Sequence, residues 1–262
     1  MANIAFDADT ARMLEQVYLT PDIVAQRARV LDLLAPRPGE HVLDIGVGPG
    51  LLAHDLARLV GDSGRVVGLD TSPDMLKTAD ARLEALSQAE CVLGDAEALP
   101  CPDAAFDAAV STQVYEYVPD MPRALTELHR VLKPGGRALI LDTDWRSLVW
   151  RCGDQALMDR VLAVWDEHLF DPHLPSSLGP MLTRAGFTVR RAEISPLLTA
   201  GWQPVSYAAG ILRTIREFVL KGGPKRGLSA DEIEAWRADQ QDLIARGEFF
   251  FSLNRYIFLA TR

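Results

Sequence analysis

Apolar runs of strand length alternate with helical patterns from His41 to Leu141. Strands that alternate with helices in this way are typical of a parallel sheet covered by helices. We therefore predict an α/β domain. The predicted strands lie near residues 41–45, 65–70, 90–94, 106–113 and 137–141, and predicted helices lie near residues 51–60 and 125–132.

The pattern changes after residue 145, where longer helical stretches replace the short alternation. Residues 154–169 and 177–185 are predicted helices, and residues 188–198 and 249–261 alternate as two further strands. Upstream of the alternating region, a Thr-Pro-Asp start predicts a helix over residues 21–34. The second half is thus predicted to complete the sheet and to add helices around it.

An insertion of about fifty residues, 199–248, separates the last two predicted strands. It holds two helical patterns, 205–220 and 229–246, joined by a glycine-rich linker of flexible composition at 222–227. Ser229 followed by Glu232 predicts a capping box for the second helix. We interpret the insertion as a lid over a pocket. A helical pair that packs on the surface or forms a dimer contact is the alternative.

The first strand breaks into three glycines, Gly46, Gly48 and Gly50, within the run VLDIGVGPG. Glycine tolerates positive φ and lets a ligand approach the backbone closely. The helix that follows points its N-terminal amides at the same turn. A dinucleotide-binding fingerprint needs a further glycine where Leu51 stands. The turn therefore predicts a nucleotide-type site that is not a pyrophosphate cradle, although such turns also occur as plain tight turns.

The second strand ends in Asp70, twenty residues after Gly50. An acidic residue at this position suits a carboxylate that binds the two hydroxyls of a ribose. Ser72 and Pro73 then predict the start of a helix, as N-cap and first helical residue. These elements in this order favour a nucleoside site over a simple turn.

These motifs resemble those of the class I S-adenosylmethionine (SAM)-dependent methyltransferases. The G-x-G-x-G run after Val-Leu-Asp resembles their motif I, and FDAAVSTQ at 106–113 resembles their motif IV. The run L-x-E-L-x-R-V-L-K-P-G-G at 125–136 resembles the ubiquinone/menaquinone C-methyltransferase-like (type 11) group. The resemblance covers residues 20–145 in specific motifs. It implies a Rossmann-like seven-stranded sheet, mostly parallel with an antiparallel last strand, with helices on both faces and a helical lid.

The resemblance implies SAM as cofactor and S-adenosylhomocysteine (SAH) as its product. The glycine turn would hold the methionine and ribose part, Asp70 the ribose diol, and Met75 the adenine face. Arg27 would meet the cofactor carboxylate, or would lie on a solvated helix face. The full implied cofactor set is Tyr18, Arg27, Asp44, Gly46, Gly48, Gly50, Asp70, Thr71, Met75, Asp95, Ala96, Thr112 and Gln113.

We expect one methyltransferase domain over residues 1–262. Its expected parts are an N-terminal helical cap at 1–38, a SAM-binding core at 39–145, helices and the sixth strand at 146–198, the helical insertion at 199–248 and the last strand at 249–262.

Acceptor-side candidates follow the fourth and fifth strands, because ligands bind at the carboxyl ends of a parallel sheet. Tyr117, Asp142 and Asp144 are the catalytic candidates. A carboxylate there would act as a base or orient the acceptor, and a helix N-cap or a turn is the alternative for the two aspartates. His168 and His173 lie in a loop that could face the pocket. Their spacing matches no metal-ligand motif, so no metal is expected.

Composition limits the kinds of molecule that the protein is expected to bind. The net charge of −9 disfavours nucleic acid, because phosphate binding depends on a basic surface. No run approaches the about 20 apolar residues of a membrane span. Cys91, Cys101 and Cys152 have no C-x-x-C spacing, which suits a reducing compartment. We therefore expect a cytoplasmic protein without a membrane span, with a homodimer as an option.

The sequence predicts an enzyme that transfers a methyl group from SAM to a small molecule. Whether carbon, oxygen or nitrogen receives the methyl stays open. One alternative is a methyltransferase that acts on protein or tRNA, which the acidic charge disfavours. Another is a SAM-binding protein without catalysis. A nucleotide-dependent oxidoreductase is disfavoured by Leu51 in the glycine motif.

Overall fold

A mixed β-sheet forms the centre of the molecule, for which a computed structural model describes residues 8–262. Its strands are β1 (His41–Ile45), β2 (Arg65–Asp70), β3 (Ala89–Leu93), β4 (Phe106–Thr112), β5 (Leu132–Thr143), β6 (Val149–Trp150), β7 (Thr188–Ala200) and β8 (Phe250–Thr261).

The strands β1 to β5 are parallel and lie in the order β3-β2-β1-β4-β5. Strand β8 pairs antiparallel with β5 and with β7, so it is the reversed strand of the sheet. This confirms the predicted α/β class and the antiparallel last strand. The carboxyl ends of β1, β2, β4 and β5 meet at one edge, where ligands bind in sheets of this kind.

Within residues 8–262 the sheet has eight strands, one more than the seven predicted. Strand β6 is only two residues long, and Val149 and Trp150 pair with Ser252 and Phe251 of β8. Two residues are too few to show a hydrophobic period, so no pattern in the sequence predicts this strand.

Helices cover both faces of the sheet. They are α1 (Ala8–Tyr18), α2 (Pro21–Leu34), α3 (Leu51–Val60), α4 (Pro73–Leu83), α5 (Met121–Val131), α6 (Gln155–Asp166), α7 (Pro175–Arg184), α8 (Tyr207–Gly222) and α9 (Ala230–Ala245). Short 3-10 helices lie at Tyr115–Tyr117, Trp145–Ser147 and Gly223–Arg226.

Two of the predicted helix starts are confirmed by their caps. The Ser72 hydroxyl accepts a hydrogen bond from the Met75 amide at 3.2 Å. Ser229 and Glu232 form the predicted capping box, each accepting from the backbone amide of the other. Thr20 is different, because its hydroxyl donates to the Val17 carbonyl and does not cap α2.

Apolar side chains pack on each face of the sheet and beyond its end. Leu125 and Leu178 lie in the cluster under α5 and α7, and Leu56 lies in the cluster under α3. A third cluster joins α6, α8 and α9 to β8 and contains Trp165 and Trp236. The insertion is thus part of a buried aromatic core.

The linker within the insertion is more ordered than its composition indicated. Residues 223–226 form a 3-10 helix, and the Leu228 amide donates to the Gly223 carbonyl at 3.0 Å. Gly223 packs against Ile233 of α9, where an added Cβ would lie 3.2 Å from the Ile233 side chain. Composition alone carries no signal for this short helix or for its packing.

None of the helices in residues 8–262 combines the length and apolar character needed to cross a bilayer. In the same range, no group of three or more His, Cys, Asp or Glu side chains is arranged to hold a metal ion.

Candidate functional site

A cavity of about 740 Å³ opens at the carboxyl edge of the parallel strands, under α1 and α2. One end is lined by the glycine turn after β1, the end of β2 and the start of α4. We call it the nucleoside end. The other end, which we call the acceptor end, is lined by Tyr117, His168, Phe170 and Arg255.

The three glycines of the turn have different tasks. Gly46 has φ +75°, and an added Cβ would lie 2.1 Å from Val114 Cγ2. Gly48 has φ +51° and lines the cavity, with no atom closer than 4.0 Å to an added Cβ. Gly50 is outside the cavity lining, and an added Cβ would lie 3.0 Å from Ala79 of α4. Gly50 was predicted to bind cofactor, but the geometry gives it the task of packing α3 against α4.

Asp70 holds the glycine turn and lines the cavity. Its Oδ2 accepts from the Gly48 amide at 2.9 Å, and its Oδ1 accepts from the Ser72 amide at 2.9 Å. A carboxylate has about four lone-pair sites, so each oxygen keeps acceptor capacity for a ligand hydroxyl. Burial raises the pKa of Asp70, and the hydrogen bonds from these backbone amides oppose the rise.

Asp44 lies at the edge of this arrangement. The side chain is buried, it does not line the cavity, and its Oδ2 has no hydrogen-bond partner among residues 8–262. Burial, helped by the negative charge of Asp70, raises the pKa of Asp44 to about 7. The structure therefore places this predicted cofactor residue behind the turn.

Gln113 lies where the two ends of the cavity meet, in a left-handed backbone conformation with φ +59°. A conformation of this kind costs about 1–3 kcal/mol in a residue other than glycine and clusters at functional sites. The side-chain Oε1 accepts from Thr143 Oγ1 at 2.7 Å. The Nε2 is buried and has no partner in the described part of the chain. Gln113 thus holds an unused donor at the cavity wall.

Asp142 supports the turn beside Gln113 and does not line the cavity. It is fully buried, and its Oδ1 accepts from the Val114 amide at 3.0 Å. Burial raises the pKa of Asp142 to about 8 against the lowering effect of these backbone amides. The geometry favours a structural role for this predicted catalytic residue, because its carboxyl group faces the 3-10 helix that carries Tyr117.

Asp144 is the N-cap of the 3-10 helix Trp145–Ser147, where it accepts from the Arg146 amide at 3.1 Å. The carboxylate also pairs with the Arg146 guanidinium at 3.0 Å and with His173 Nδ1 at 3.2 Å. Asp144 and His173 both lie outside the cavity lining. The bond from the Arg146 amide is that of a cap, which was the alternative interpretation.

Charged side chains connect helices α1 and α2, which lie over the cavity, to α3, α4 and the glycine turn below it. Arg27 Nε donates to Asp55 Oδ2 at 2.9 Å, and its Nη1 donates to the Tyr18 carbonyl at 3.2 Å. Arg82 of α4 pairs with Glu15 of α1 and donates to the Pro49 carbonyl at 2.8 Å. Arg27 is therefore a mostly buried bridge between helices, and does not lie on a solvated face.

His168 is part of the wall of the acceptor end. Its Nδ1 is hydrogen-bonded to the Trp165 carbonyl, and its ring meets Tyr117 edge-on with centroids 5.7 Å apart. Burial lowers the pKa of His168 to about 4, so the ring is neutral at pH 7. With Nδ1 as the donor to a carbonyl, Nε2 is the acceptor nitrogen.

Sequence reasoning missed Arg255 and Gln26, which both line the acceptor end. Arg255 is 2% exposed, and its Nη1 donates to Gln26 Oε1 at 3.1 Å. A signal was present in the last strand, where every second residue from Phe251 to Ile257 is buried. Arg255 lies on this buried face, between Leu253 and Ile257. A charged residue on the buried face of a strand is a candidate for function.

Comparison with known proteins places this site in a family. A family model for a methyltransferase domain matches residues 43–140. The 2-phytyl-1,4-naphthoquinone methyltransferase of Synechococcus elongatus is 47% identical over 111 residues, which are 41% of this chain and 48% of that enzyme. An uncharacterized 37.1 kDa protein of transposon Tn4556 from Streptomyces fradiae is 33% identical over 258 residues, which are 96% of this chain and 71% of that protein.

The chain belongs to the class I SAM-dependent methyltransferases. The fold agrees. Phosphoethanolamine N-methyltransferase 2 of Haemonchus contortus, solved with SAM, superposes on this methyltransferase with a TM-score of 0.62 at 20% identity. The superposition covers 99% of this chain and 60% of that enzyme.

Most of the residues predicted to bind the cofactor converge on the cavity of this methyltransferase. They fit SAM by their chemistry, because Asp70 keeps acceptor capacity for a diol and Gln113 keeps a donor. The predicted residues that line the cavity are Tyr18, Arg27, Gly46, Gly48, Asp70, Thr71, Met75, Asp95, Ala96, Thr112, Gln113 and Tyr117. Those outside the lining are Asp44, Gly50, Asp142 and Asp144.

Proposed function

We propose that this methyltransferase transfers a methyl group from SAM to a small, largely apolar molecule bound in the acceptor end. The observation that carries the proposal is one continuous cavity that joins a nucleoside end to an aromatic acceptor end. Its volume of about 740 Å³ lies toward the upper part of the range of about 300–1,000 Å³ for small-molecule sites. The cavity is therefore large enough for a cofactor and a compact acceptor.

The main contribution of the chain is positioning. Bound SAM supplies an activated methyl group on a good leaving group. Asp70 fixes one end of the site and Gln113 lies between the two ends. Placing the reacting atoms about 3–3.5 Å apart in line is worth up to ~7–11 kcal/mol of the barrier. A site of this kind needs little further chemistry when the acceptor atom already has a free lone pair.

Where the acceptor loses a proton, His168 is placed to take it, but only as a weak base, because burial lowers its pKa to about 4. It lines the acceptor end as a neutral ring, whereas Asp142 and Asp144 do not line the cavity. Tyr117, beside it, remains a candidate for orienting the acceptor. A general base contributes about 10²–10⁴ to a rate, so its loss would slow the reaction without abolishing cofactor binding.

Residues of the insertion contact the acceptor end and the helices above it. The ring of Tyr207 in α8 lies 4.6 Å from the guanidinium carbon of Arg255. The Tyr207 amide donates to Asp22 of α2 at 2.8 Å, and α8 approaches α1 at Gly210 and Val17. We infer that residues 199–248 shape the acceptor site. The single domain, the cytoplasmic location and the homodimer stay predictions.

The acceptor of the Synechococcus relative is a naphthoquinone derivative by its name, and a reduced quinone belongs among the first acceptors to test. That match covers 41% of this chain, so it does not by itself extend the acceptor to the whole chain. The net charge of −9 favours a small molecule over tRNA as the acceptor.

The test is incubation with methyl-labelled SAM and a metabolite extract, followed by separation of small molecules from macromolecules. Label in a small-molecule fraction is expected, and an Asp70→Ala variant should lose it at limiting SAM. Label in protein or RNA would support the macromolecule alternative. Binding of SAH without transfer to any fraction would support a SAM-binding protein that lacks catalysis.

A further inference from the structure

Arg255 is a buried cation held by neutral groups. Its Nη1 donates to the Gln26 amide oxygen, and its guanidinium carbon lies 4.6 Å from the centre of the Tyr207 ring. Its Nε has no hydrogen-bond partner among residues 8–262. A guanidinium has five N–H donors and stays charged at every physiological pH. Part of the hydrogen-bonding capacity of Arg255 is therefore unused inside the cavity wall.

The other arginine that lines the cavity, Arg27, differs from Arg255 because it is paired with a carboxylate. Arg27 also lines the cavity, but the Asp55 carboxylate neutralises it at 2.9 Å. Burial raises the pKa of Glu116 and of Asp142, and this effect outweighs the charge of Arg255, which lowers both pKa values. Both carboxyls are therefore held toward the neutral form. A buried charge is costly unless it is paired, so the surroundings of Arg255 favour an anion brought by a ligand.

The position of Arg255 in the sheet puts it far from Asp70, at the acceptor end of the cavity. It aligns with Thr143 of β5, whose hydroxyl bonds the Gln113 side chain. Asp70 ends β2, which is separated from β8 by β1, β4 and β5. Four inter-strand spacings of about 4.8 Å put the two residues roughly 19 Å apart along the edge. Arg255 thus lies well beyond the ribose position.

The rest of this end is aromatic. Tyr18, Tyr117, His168 and Phe170 line it around Arg255. Burial raises the pKa of Tyr18 to about 12, so its hydroxyl is neutral. One cation in an apolar, aromatic wall suits a ligand with an apolar body and a single negative oxygen group.

We propose, building on the methyl transfer proposed above, that the acceptor is a small organic oxyanion whose carboxylate or ionised phenol oxygen is bound by Arg255. The planar fork of a guanidinium binds a carboxylate through two parallel N–H···O bonds and a single oxyanion through one or two. The oxyanion anchors the acceptor beside Gln113, and the aromatic wall encloses its apolar part.

The test is calorimetric titration of the SAH-loaded protein with three probes: benzoate, 4-nitrophenolate and the neutral benzamide. We expect at least one anion to bind about ten- to a hundredfold more tightly than benzamide, as one charge-assisted bond would give. In Arg255→Met this preference should vanish, and Arg255→Lys should keep part of it. Arg146→Met, which removes a cation outside the cavity, should keep all of it.

Equal binding of the anions and benzamide, no measurable binding of either anion, or a preference that survives Arg255→Met would each overturn the proposal. The stronger anion identifies carboxylate or phenolate as the oxygen group. An SAH titration of each variant, performed first, shows that the variant is folded. Wild-type protein that fails to bind SAH would instead contradict the proposed function, so the two failures are distinguishable.

Discussion

The two ends of the cavity are built in different ways. The nucleoside end is built around one backbone turn, with Gly46, Gly48 and Asp70 within a span of twenty-five residues. The acceptor end is made of side chains from distant segments, and Gln26 and Arg255 are separated by 229 positions. One end depends on the shape of a turn, and the other on which side chains the helices and the last strand deliver.

This contrast explains why the cofactor can be inferred from the sequence and the acceptor cannot. A turn that must approach a ligand closely restricts residue types within a short motif. The side chains of an acceptor pocket come from segments outside the glycine motif. The specificity of the pocket can therefore change while the motif stays the same. Function grafted onto a common fold resides in such sites. The following predictions test this contrast.

Gly46→Ala should have the largest effect. The added Cβ would lie 2.1 Å from Val114 Cγ2, in a backbone with φ +75°. Left-handed backbone and overpacking together should destabilise the fold by about 2–5 kcal/mol. The measurement is the free energy of unfolding in denaturant.

Gly48→Ala is the matched control, because an added Cβ there meets no atom closer than 4.0 Å. It shares the left-handed strain, at φ +51°, but not the overpacking, so it should lose only about 1–2 kcal/mol of stability. It should still weaken SAH binding about tenfold or more, since the Cβ enters the cavity wall. Equal stability losses in the two variants would contradict the division of tasks between these glycines.

Asp70→Ala should lower SAH affinity about ten- to a hundredfold, as the loss of one charge-assisted hydrogen bond of about 1.5–3 kcal/mol would give. The variant also releases the Gly48 and Ser72 amides. Calorimetry measures the affinity, and Asp74→Ala, an exposed acid in the same helix start, serves as the control. If both variants bind SAH like the wild type, the ribose is held elsewhere.

Asp142→Asn should change the pH dependence of stability. Its pKa is about 8 in the folded protein against 3.8 ordinarily, so the folded state retains a proton that the unfolded chain loses. The stabilisation is complete below about pH 4 and is lost as pH rises toward 8. The variant should therefore show a flatter profile of unfolding free energy between pH 4 and 8.

The control for that profile is Asp107→Asn. Lys133 lowers the pKa of Asp107, so this carboxylate contributes stability that is lost only as the pH falls through its folded pKa, on the acid side of the window. Replacing it should leave the slope between pH 4 and 8 unchanged. An unaltered slope in Asp142→Asn would show that Asp142 is ionised in the folded protein.

Asp144→Ala should have the smallest effect. Loss of an N-cap costs about 0.5–2 kcal/mol, and the contacts of Asp144 with Arg146 and His173 are partly exposed and add little. SAH affinity should be unchanged, because Asp144 does not line the cavity. A fall in methyl transfer with stability unchanged would return Asp144 to the catalytic candidates.

The sheet could be predicted from the sequence because its elements have local signals. Alternation of strand and helix gave the parallel core, and the Ser229–Glu232 spacing gave a cap that the structure contains. Two features had no local signal, because tertiary packing decides them. The 222–227 segment is ordered by Ile233 and Leu228, and β6 exists only because β8 lies beside it.

The candidate site divides in the same manner. Gly48 and Asp70 were found because turn chemistry and a strand end mark them locally. Gly50 and Asp44 belong to the same motif, but which side of the turn they face depends on α4 and on the buried strand. Arg255 and Gln26 were missed, because no local pattern shows that two segments 229 residues apart meet in space.

The two ends of the insertion meet at one point of the sheet. Ala200, the last residue of β7, pairs with Phe250, the first of β8, and the Gly201 amide donates to the Phe249 carbonyl at 2.8 Å. The segment between them leaves and re-enters the fold like an oversized hairpin loop. The pairing of β7 with β8 closes at this junction, so the two strands carry their own register and the insertion is held by its side-chain contacts with the rest of the fold.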